Sequence, residues 1–286
     1  MSVRYTKRMK KLTLSGTKIS YWEYNADKKQ TIVMIHGFRG THHGLLKIIE
    51  QLPDLHIIVP DLPGFGDSMP LAGQTHSLEN YVQFLDEFIS VLALGRPAIL
   101  LGHSFGSIVA SHFAAQFPEK ISKLILINPI GAPALEGPRG FLTQLAIMYY
   151  WLGKKLPASP AHKWLANPGI VKVMSVTMTK TSDKQLLTYI HNQHLQHFST
   201  FASPQVVAEA FRTSVSHDVS HIASSIKIST LLIAGEKDDI TPLEKQHLLA
   251  TKNPHFQLKV IPDVGHLIHY EKPREAATLI AQFLQQ

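Results

Sequence analysis

The pentapeptide Gly102-His103-Ser104-Phe105-Gly106 follows the apolar run Ala98-Ile99-Leu100-Leu101 and opens a helical pattern that reaches Phe117. A serine between two glycines at a strand-to-helix turn is the setting of an exposed nucleophile: the flanking glycines leave room for the turn and for close helix packing. The N–H of Phe105, at the start of the helix, would face an oxyanion, because helix N-termini carry partial positive charge. A serine hydroxyl needs a base near neutral pH. Histidine fits, but the chain has 17 of them, so placement must choose. His266, in Gly265-His266-Leu267, stands best, on a loop between the last strand pattern and the final helix. His103 sits beside the serine with its ring expected to point away from the hydroxyl, and His36 ends a strand and is expected to brace a loop. The base needs a carboxylate to fix its tautomer. Asp238 and Asp239 both follow the strand pattern Thr230–Ala234, and Asp263 is a weaker third candidate.

The elements that must position these residues are legible as short apolar runs. Lys10–Leu14 and Lys18–Tyr24 read as a hairpin turning at Gly16. Thr31–Ile35, His56–Val59, Ala98–Leu101, Lys123–Ile127, Thr230–Ala234 and Gln257–Ile261 are nearly continuous apolar runs, as in parallel strands buried on both faces. Helical patterns alternate with them, among them the single face made by Leu78, Tyr81, Leu85, Phe88, Ile89 and Leu92. The alternation predicts an α/β fold with a mostly parallel, doubly wound sheet and helices on both faces.

Residues 131–215 break the rhythm. Pro129, Pro133, Pro138, Pro157, Pro160, Pro168 and Pro204 cut the stretch into pieces that read as helices over Phe141–Leu152, Asp183–Phe198 and Pro204–Thr213. Its aromatic and methionine content, Phe141, Met148, Tyr149, Tyr150, Trp151, Trp164, Met174 and Met178, suits a cover over something apolar. The expected organisation is a core of residues 1–130 and 216–286 with a helical cap inserted at 131–215.

Composition narrows the partners. The 286 residues include 28 Lys and Arg against 21 Asp and Glu, a net charge of +7. Part of that excess crowds the N-terminus, at Arg4, Lys7, Arg8, Lys10 and Lys11, and part lies in the cap. No basic run is interleaved with aromatics, so no nucleic-acid partner is expected. The absence of cysteine rules out disulfides, thiolate metal sites and a cysteine nucleophile, and fits a cytoplasmic setting. The basic N-terminus is not followed by an apolar stretch of signal-peptide type, and Leu142–Leu152 is too short to span a bilayer, which takes ~20 residues. His191, His194 and His197 would fan over ~120° of a helix and are expected on a polar cap surface, not on a metal. His42 and His43 are expected in a loop near the entrance.

These motifs together resemble the α/β-hydrolase family, in the serine-nucleophile branch with a helical cap, over nearly the whole chain from about residue 10. His36-Gly37-Phe38-Arg39-Gly40 resembles the family's oxyanion loop, which implies the Phe38 N–H as second oxyanion donor. Asp61-Leu62-Pro63-Gly64-Phe65-Gly66-Asp67-Ser68 resembles the loop after the next parallel strand. In the family's acid loop a glycine is followed three places on by the acid and seven places on by proline. Gly235, Asp238 and Pro242 fit, so the resemblance favours Asp238 over Asp239. Gly265-His266 with Glu271 and Pro273 resembles the histidine loop. The dehalogenase and epoxide-hydrolase branches place aspartate where Ser104 stands, and the carbon–carbon hydrolases often carry tryptophan where Leu267 stands. The resemblance therefore implies hydrolysis of a carboxylic ester of a small-molecule acyl substrate, with no metal and no organic cofactor; the basic excess and the aromatic and methionine content of residues 131–215 suit an anionic or amphiphilic one. The alternative is cleavage of a carbon–carbon bond in a diketone acid, with Arg39 binding the substrate carboxylate. A non-catalytic interaction protein of the same fold is a third reading, opposed by the complete set of Ser104, His266 and Asp238.

Overall fold

The computed structural model describes residues 6–133 and 140–286. Strands β1 (Lys7–Leu14), β2 (Thr17–Tyr24) and β3 (Thr31–Ile35) are followed by helix α1 (Leu46–Ile49), β4 (His56–Pro60), α2 (Leu78–Leu92), β5 (Ala98–His103), α3 (Phe105–Gln116) and β6 (Ile121–Ile127). Helices α4 (Gly140–Lys155), α5 (Ala158–Leu165), α6 (Pro168–Met178), α7 (Lys184–His197) and α8 (Pro204–Ser216) come next. The chain ends with β7 (Thr230–Gly235), α9 (Leu243–Thr251), β8 (Phe256–Ile261), α10 (Ile268–Glu271) and α11 (Pro273–Leu284).

The eight strands form one sheet in the order β1-β2-β4-β3-β5-β6-β7-β8. β1 and β2 are antiparallel, β2 joins β4 antiparallel, and every pairing from β4 to β8 is parallel. The expected strands are all present, because buried parallel strands must be apolar on both sides and so stand out as runs. Alternation along them serves two cores. Val33, Leu100, Leu124, Leu126 and Leu232 point to the face covered by α2 and α3. Ile32, Met34, Ile99, Leu101, Ile125 and Ile233 point to the face covered by α1 and α11. β1 is the outer edge, and all of its first five residues are exposed.

The winding direction reverses between β3 and β5, which are neighbours in the sheet. In open α/β sheets the crevice at the carboxyl ends of such strands is where ligands bind. The loops carrying Gly37 and Ser104 leave the sheet there.

Between β6 and β7 the sequence patterns found α4, α7 and α8 but not α5 or α6. Pro157 precedes α5, Pro160 lies in its first turn and Pro168 is the first residue of α6. Proline is tolerated in a first turn because its missing N–H has no intrahelical partner there. Prolines that read as breaks are thus starts. Pro138 and the side chain of Phe141 lie outside the described residues.

Candidate active site

Ser104 sits between β5 and α3 with φ +52° and ψ −118°, a strained conformation for a residue with a side chain. The surroundings hold it there. A Cβ on Gly102 would come within 2.3 Å of the Gly106 carbonyl oxygen, and one on Gly106 within 2.3 Å of the Ile35 oxygen. Both contacts are with backbone, so glycine alone fits at either place. The Ser104 N–H donates to the Ile127 carbonyl at 3.1 Å, and its own carbonyl accepts from the Ser107 N–H at 2.8 Å and hydroxyl at 2.5 Å.

The loops after β7 and β8 bring the other two residues to this turn. The hydroxyl of Ser104 lies 2.8 Å from His266 Nε2, and His266 Nδ1 lies 2.9 Å from Asp238 Oδ2. The Asp238 carboxylate is buried and accepts more than the histidine: Oδ1 takes the N–H groups of Ile240 (2.8 Å) and Thr241 (3.0 Å), and Oδ2 takes Asn128 Nδ2 (2.8 Å) and the Thr241 hydroxyl (2.5 Å). Burial alone would push its pKa up. The charge and hydrogen bond of His266 and the Thr241 donors outweigh that and hold it well below the usual carboxylate range. Asp239 points elsewhere, to an exposed ion pair with Lys180, and Asp263 pairs with Lys237 on the surface.

The loop after β3 abuts the serine. A Cβ on Gly37 would lie 3.3 Å from Ser104 Cβ and 3.1 Å from His103 Nδ1. The turn closes with the Gly40 N–H on the Gly37 carbonyl at 3.0 Å. The Phe105 N–H, first in α3, is one of the N-terminal donors that have no intrahelical partner. His36 accepts the Leu62 N–H on Nε2 (2.9 Å) and donates from Nδ1 to the Gly37 carbonyl (2.8 Å), linking the loops after β3 and β4. His103 has its Nε2 3.4 Å from the His266 carbonyl, and burial pushes its pKa down to about 3. It therefore stays neutral beside the site.

Arg39 differs from the expectation of a carboxylate-binding side chain. It is 1% exposed. Its Nε donates to the Phe198 carbonyl (2.8 Å), Nη2 to the Leu165 carbonyl (2.9 Å) and Nη1 to the Tyr150 hydroxyl (3.3 Å), with the guanidinium 5.4 Å from the Phe201 ring. Its backbone lies at φ +57°. The residue ties the Gly37–Gly40 turn to the C-terminal ends of α5 and α7 and to the middle of α4, and each of its three nitrogens donates within the protein. The loop after β4 adds to this link: the Gly66 N–H donates to the Thr200 carbonyl at 2.8 Å and the Ala202 N–H to the Gly64 carbonyl at 2.9 Å.

Two further histidines also depart from expectation. His194 is fully buried on α7, not on a polar surface, with Nδ1 2.6 Å from the Ser175 hydroxyl, which His191 approaches at 2.7 Å. His42 is buried too, stacked on Trp22 and 3.1 Å from Asp61. Among the described residues no cluster of three or more His, Asp or Glu could hold a metal ion. The sequence reading missed Asn128 and Thr241. The signal for Asn128 in the sequence is a polar residue directly after an apolar strand run, as His36 is after β3; in the structure it adopts φ +47°.

A sequence profile of the alpha/beta hydrolase fold matches residues 30–273, and the chain belongs to that family. It is 26% identical over 282 residues to the uncharacterized hydrolase YugF of Bacillus subtilis (strain 168), covering 97% of this chain and 98% of that protein. It is 27% identical over 267 residues to the human (Homo sapiens) monoacylglycerol lipase ABHD6, covering 90% of this chain and 75% of that protein. The esterase of Thermogutta terrifontis superposes with a TM-score of 0.78 at 22% identity, covering 97% of this chain and 98% of that chain, a likeness of fold.

Proposed function

We propose that this chain hydrolyses carboxylic esters of small acyl substrates through a covalent acyl-enzyme. The observation that carries the reading is the continuous chain from Ser104 Oγ through His266 to Asp238, set on a strained turn that glycines alone permit. Ser104 attacks the ester carbonyl while His266 Nε2 takes its proton. Asp238 keeps Nδ1 protonated and steadies the imidazolium. The N–H groups of Phe38 and Phe105 receive the developing oxyanion. His266 then protonates the departing alcohol, and in the second half it activates water to release the acid and free Ser104. The chemistry calls on no metal or organic cofactor.

Residues 131–215 act as a cap over this site, its helices anchored to the oxyanion loop by Arg39. Their excess of basic side chains suits anionic or amphiphilic substrates, and the cytoplasm is the compartment that fits a cysteine-free chain. ABHD6, by its name, acts on monoacylglycerols, which makes amphiphilic esters the first class to test. Cleavage of a diketone acid loses its support with Arg39, whose donors serve cap carbonyls and the Tyr150 hydroxyl.

The test is labelling by a fluorophosphonate together with a hydrolysis screen over esters of graded chain length and aromatic diketone acids. Ser104→Ala should abolish both labelling and ester hydrolysis. Labelling at a different serine, or turnover of the diketone acids alone, would reject the proposal.

A further inference from the structure

The helices between β6 and β7 carry a surface that ester chemistry does not use. α4 packs inward through Tyr150, 3% exposed, and through Gly153, where a Cβ would meet Leu165 at 2.7 Å. The opposite face of such a helix is ordinarily polar. Here it holds Leu145, Met148, Trp151 and Leu152, which are 41%, 50%, 54% and 43% exposed. At 100° per residue the four fall within an arc of about 120°. Trp164 of α5, 44% exposed, adjoins them through Tyr149, whose hydroxyl donates to the Trp164 carbonyl at 2.8 Å and whose ring lies 5.5 Å away.

The stretch of sequence that carries this face is rich in basic side chains. Residues 137–182 hold six basic side chains, Arg139, Lys154, Lys155, Lys163, Lys172 and Lys180, and no Asp or Glu. Lys155 lies over the Trp151 ring with Nζ 5.5 Å from its centroid, and Lys163 precedes Trp164. Lys154 reaches across to Glu209 of α8 at 3.9 Å. A second copy of this face would set lysine against lysine. An anionic lipid surface would complement it: leucine and methionine enter the acyl boundary, tryptophan rings sit at headgroup depth, and lysines extend to the phosphates and carboxylates. At 16 residues α4 suits lying in that plane, and no described helix is long and apolar enough to cross a membrane.

We propose that the outer face of α4, with Trp164, docks this protein on the surface of a bilayer containing anionic lipid. The contact is peripheral and does not depend on the chemistry at Ser104. Basic side chains near an anionic surface each strengthen binding by about fivefold, so Lys155 and Lys163 together should contribute on the order of tenfold or more.

The experiment is co-sedimentation with phosphatidylcholine vesicles, with and without phosphatidylserine, alongside quenching of tryptophan fluorescence by brominated lipid. Trp22 is 4% exposed, so quenching reports chiefly on Trp151 and Trp164. The protein should bind the anionic vesicles at least about tenfold better than the neutral ones, less so at high salt, with quenching. The double variant Met148→Glu/Trp151→Glu should lose binding, and Lys155→Glu/Lys163→Glu should lose the preference for anionic lipid. Both alter exposed side chains and should unfold at the wild-type temperature. Ser104→Ala should bind like wild type, which separates docking from catalysis. Val91→Glu, at a 58%-exposed apolar residue of α2, should also bind normally. No binding to anionic vesicles, equal binding to both kinds, or equal loss in Val91→Glu would overturn the proposal. So would self-association through this face without vesicle binding.

Discussion

Replacing Asp238 by asparagine changes hydrogen-bond chemistry at the centre of the site with almost no change in shape. Five donors converge on the carboxylate, two on Oδ1 and three on Oδ2. An amide offers a single acceptor oxygen. With that oxygen at the Oδ2 position, its NH2 would face the backbone N–H groups of Ile240 and Thr241, which cannot turn away. The amide is therefore expected to place oxygen on those two and present NH2 to His266 Nδ1. That nitrogen must then accept, so the imidazole proton moves to Nε2, the atom 2.8 Å from Ser104 that receives the serine proton in the proposed mechanism. The charge that steadied the imidazolium is lost as well. Tautomer reversal of this kind costs roughly 10²–10⁴ in turnover, or about 3–5 kcal/mol of barrier. The assay is steady-state hydrolysis of a short nitrophenyl ester with the rate of fluorophosphonate labelling in parallel. We expect kcat to fall by that factor with KM changed only a few-fold. Asp239→Asn, which removes the charge from an exposed ion pair with Lys180, should stay within a factor of about 3. Near-wild-type turnover in Asp238→Asn, or collapse in Asp239→Asn, would refute the reasoning.

Arg39→Met removes three hydrogen bonds from a buried cation and strands the Leu165 and Phe198 carbonyls. Urea unfolding should show a loss of about 3–5 kcal/mol, with slower labelling of Ser104, and Arg39→Lys should recover only part of it. Acid should destabilise the protein well above the carboxylate range. Burial holds His42, His103 and His194 down to about 3 and His76 to about 4 in the folded state, so below about pH 6.5 the unfolded chain binds protons that the folded one does not. Stability then falls as pH drops from about 6.5 towards 4, with a ceiling of about 5 kcal/mol per pH unit for these four groups. Asp238 slopes the same way, and Asp61, its pKa raised by burial, opposes it in part. Thermal unfolding across this range checks the slope, and a flat profile contradicts it. If residues 131–215 form the proposed basic cap and it steers substrate, kcat/KM for an ester bearing a carboxylate should drop with added salt while a neutral ester of equal size hardly changes. Identical salt profiles would mean that the lysines do not steer.

The sequence showed most where burial leaves little choice. Strands enclosed on both faces must be apolar, and the Gly102–Gly106 turn must keep its glycines, so β3 to β8 and the serine turn were plain. Asp238 and Asp239 are alike to any local pattern. What separates them is the convergence of Asn128, from a loop 110 residues away, and of Thr241 on one of the two. Arg39 misled for a related reason: an arginine beside a candidate oxyanion loop invites a ligand, but its partners are carbonyls 126 and 159 residues further along the chain. His194 looked solvent-facing because three histidines in a row of helical turns are polar by type. Its burial depends on Ser175 and Tyr270 arriving from other helices.

The exposed edge strand β1 gives the basic N-terminus a meaning that needs no acidic partner. An open strand edge displays unpaired N–H and C=O groups to any other chain that can extend the sheet. Lys7, Arg8, Lys10 and Lys11 line this edge, Lys10 being held by Glu23 of β2. Two such edges approaching each other would bring rows of positive charge into register, and the repulsion keeps sheets from fusing across molecules. Since salt weakens that repulsion, stored protein should pair edge to edge at lower concentration as ionic strength rises. Acetylating these lysines should have the same effect at low salt.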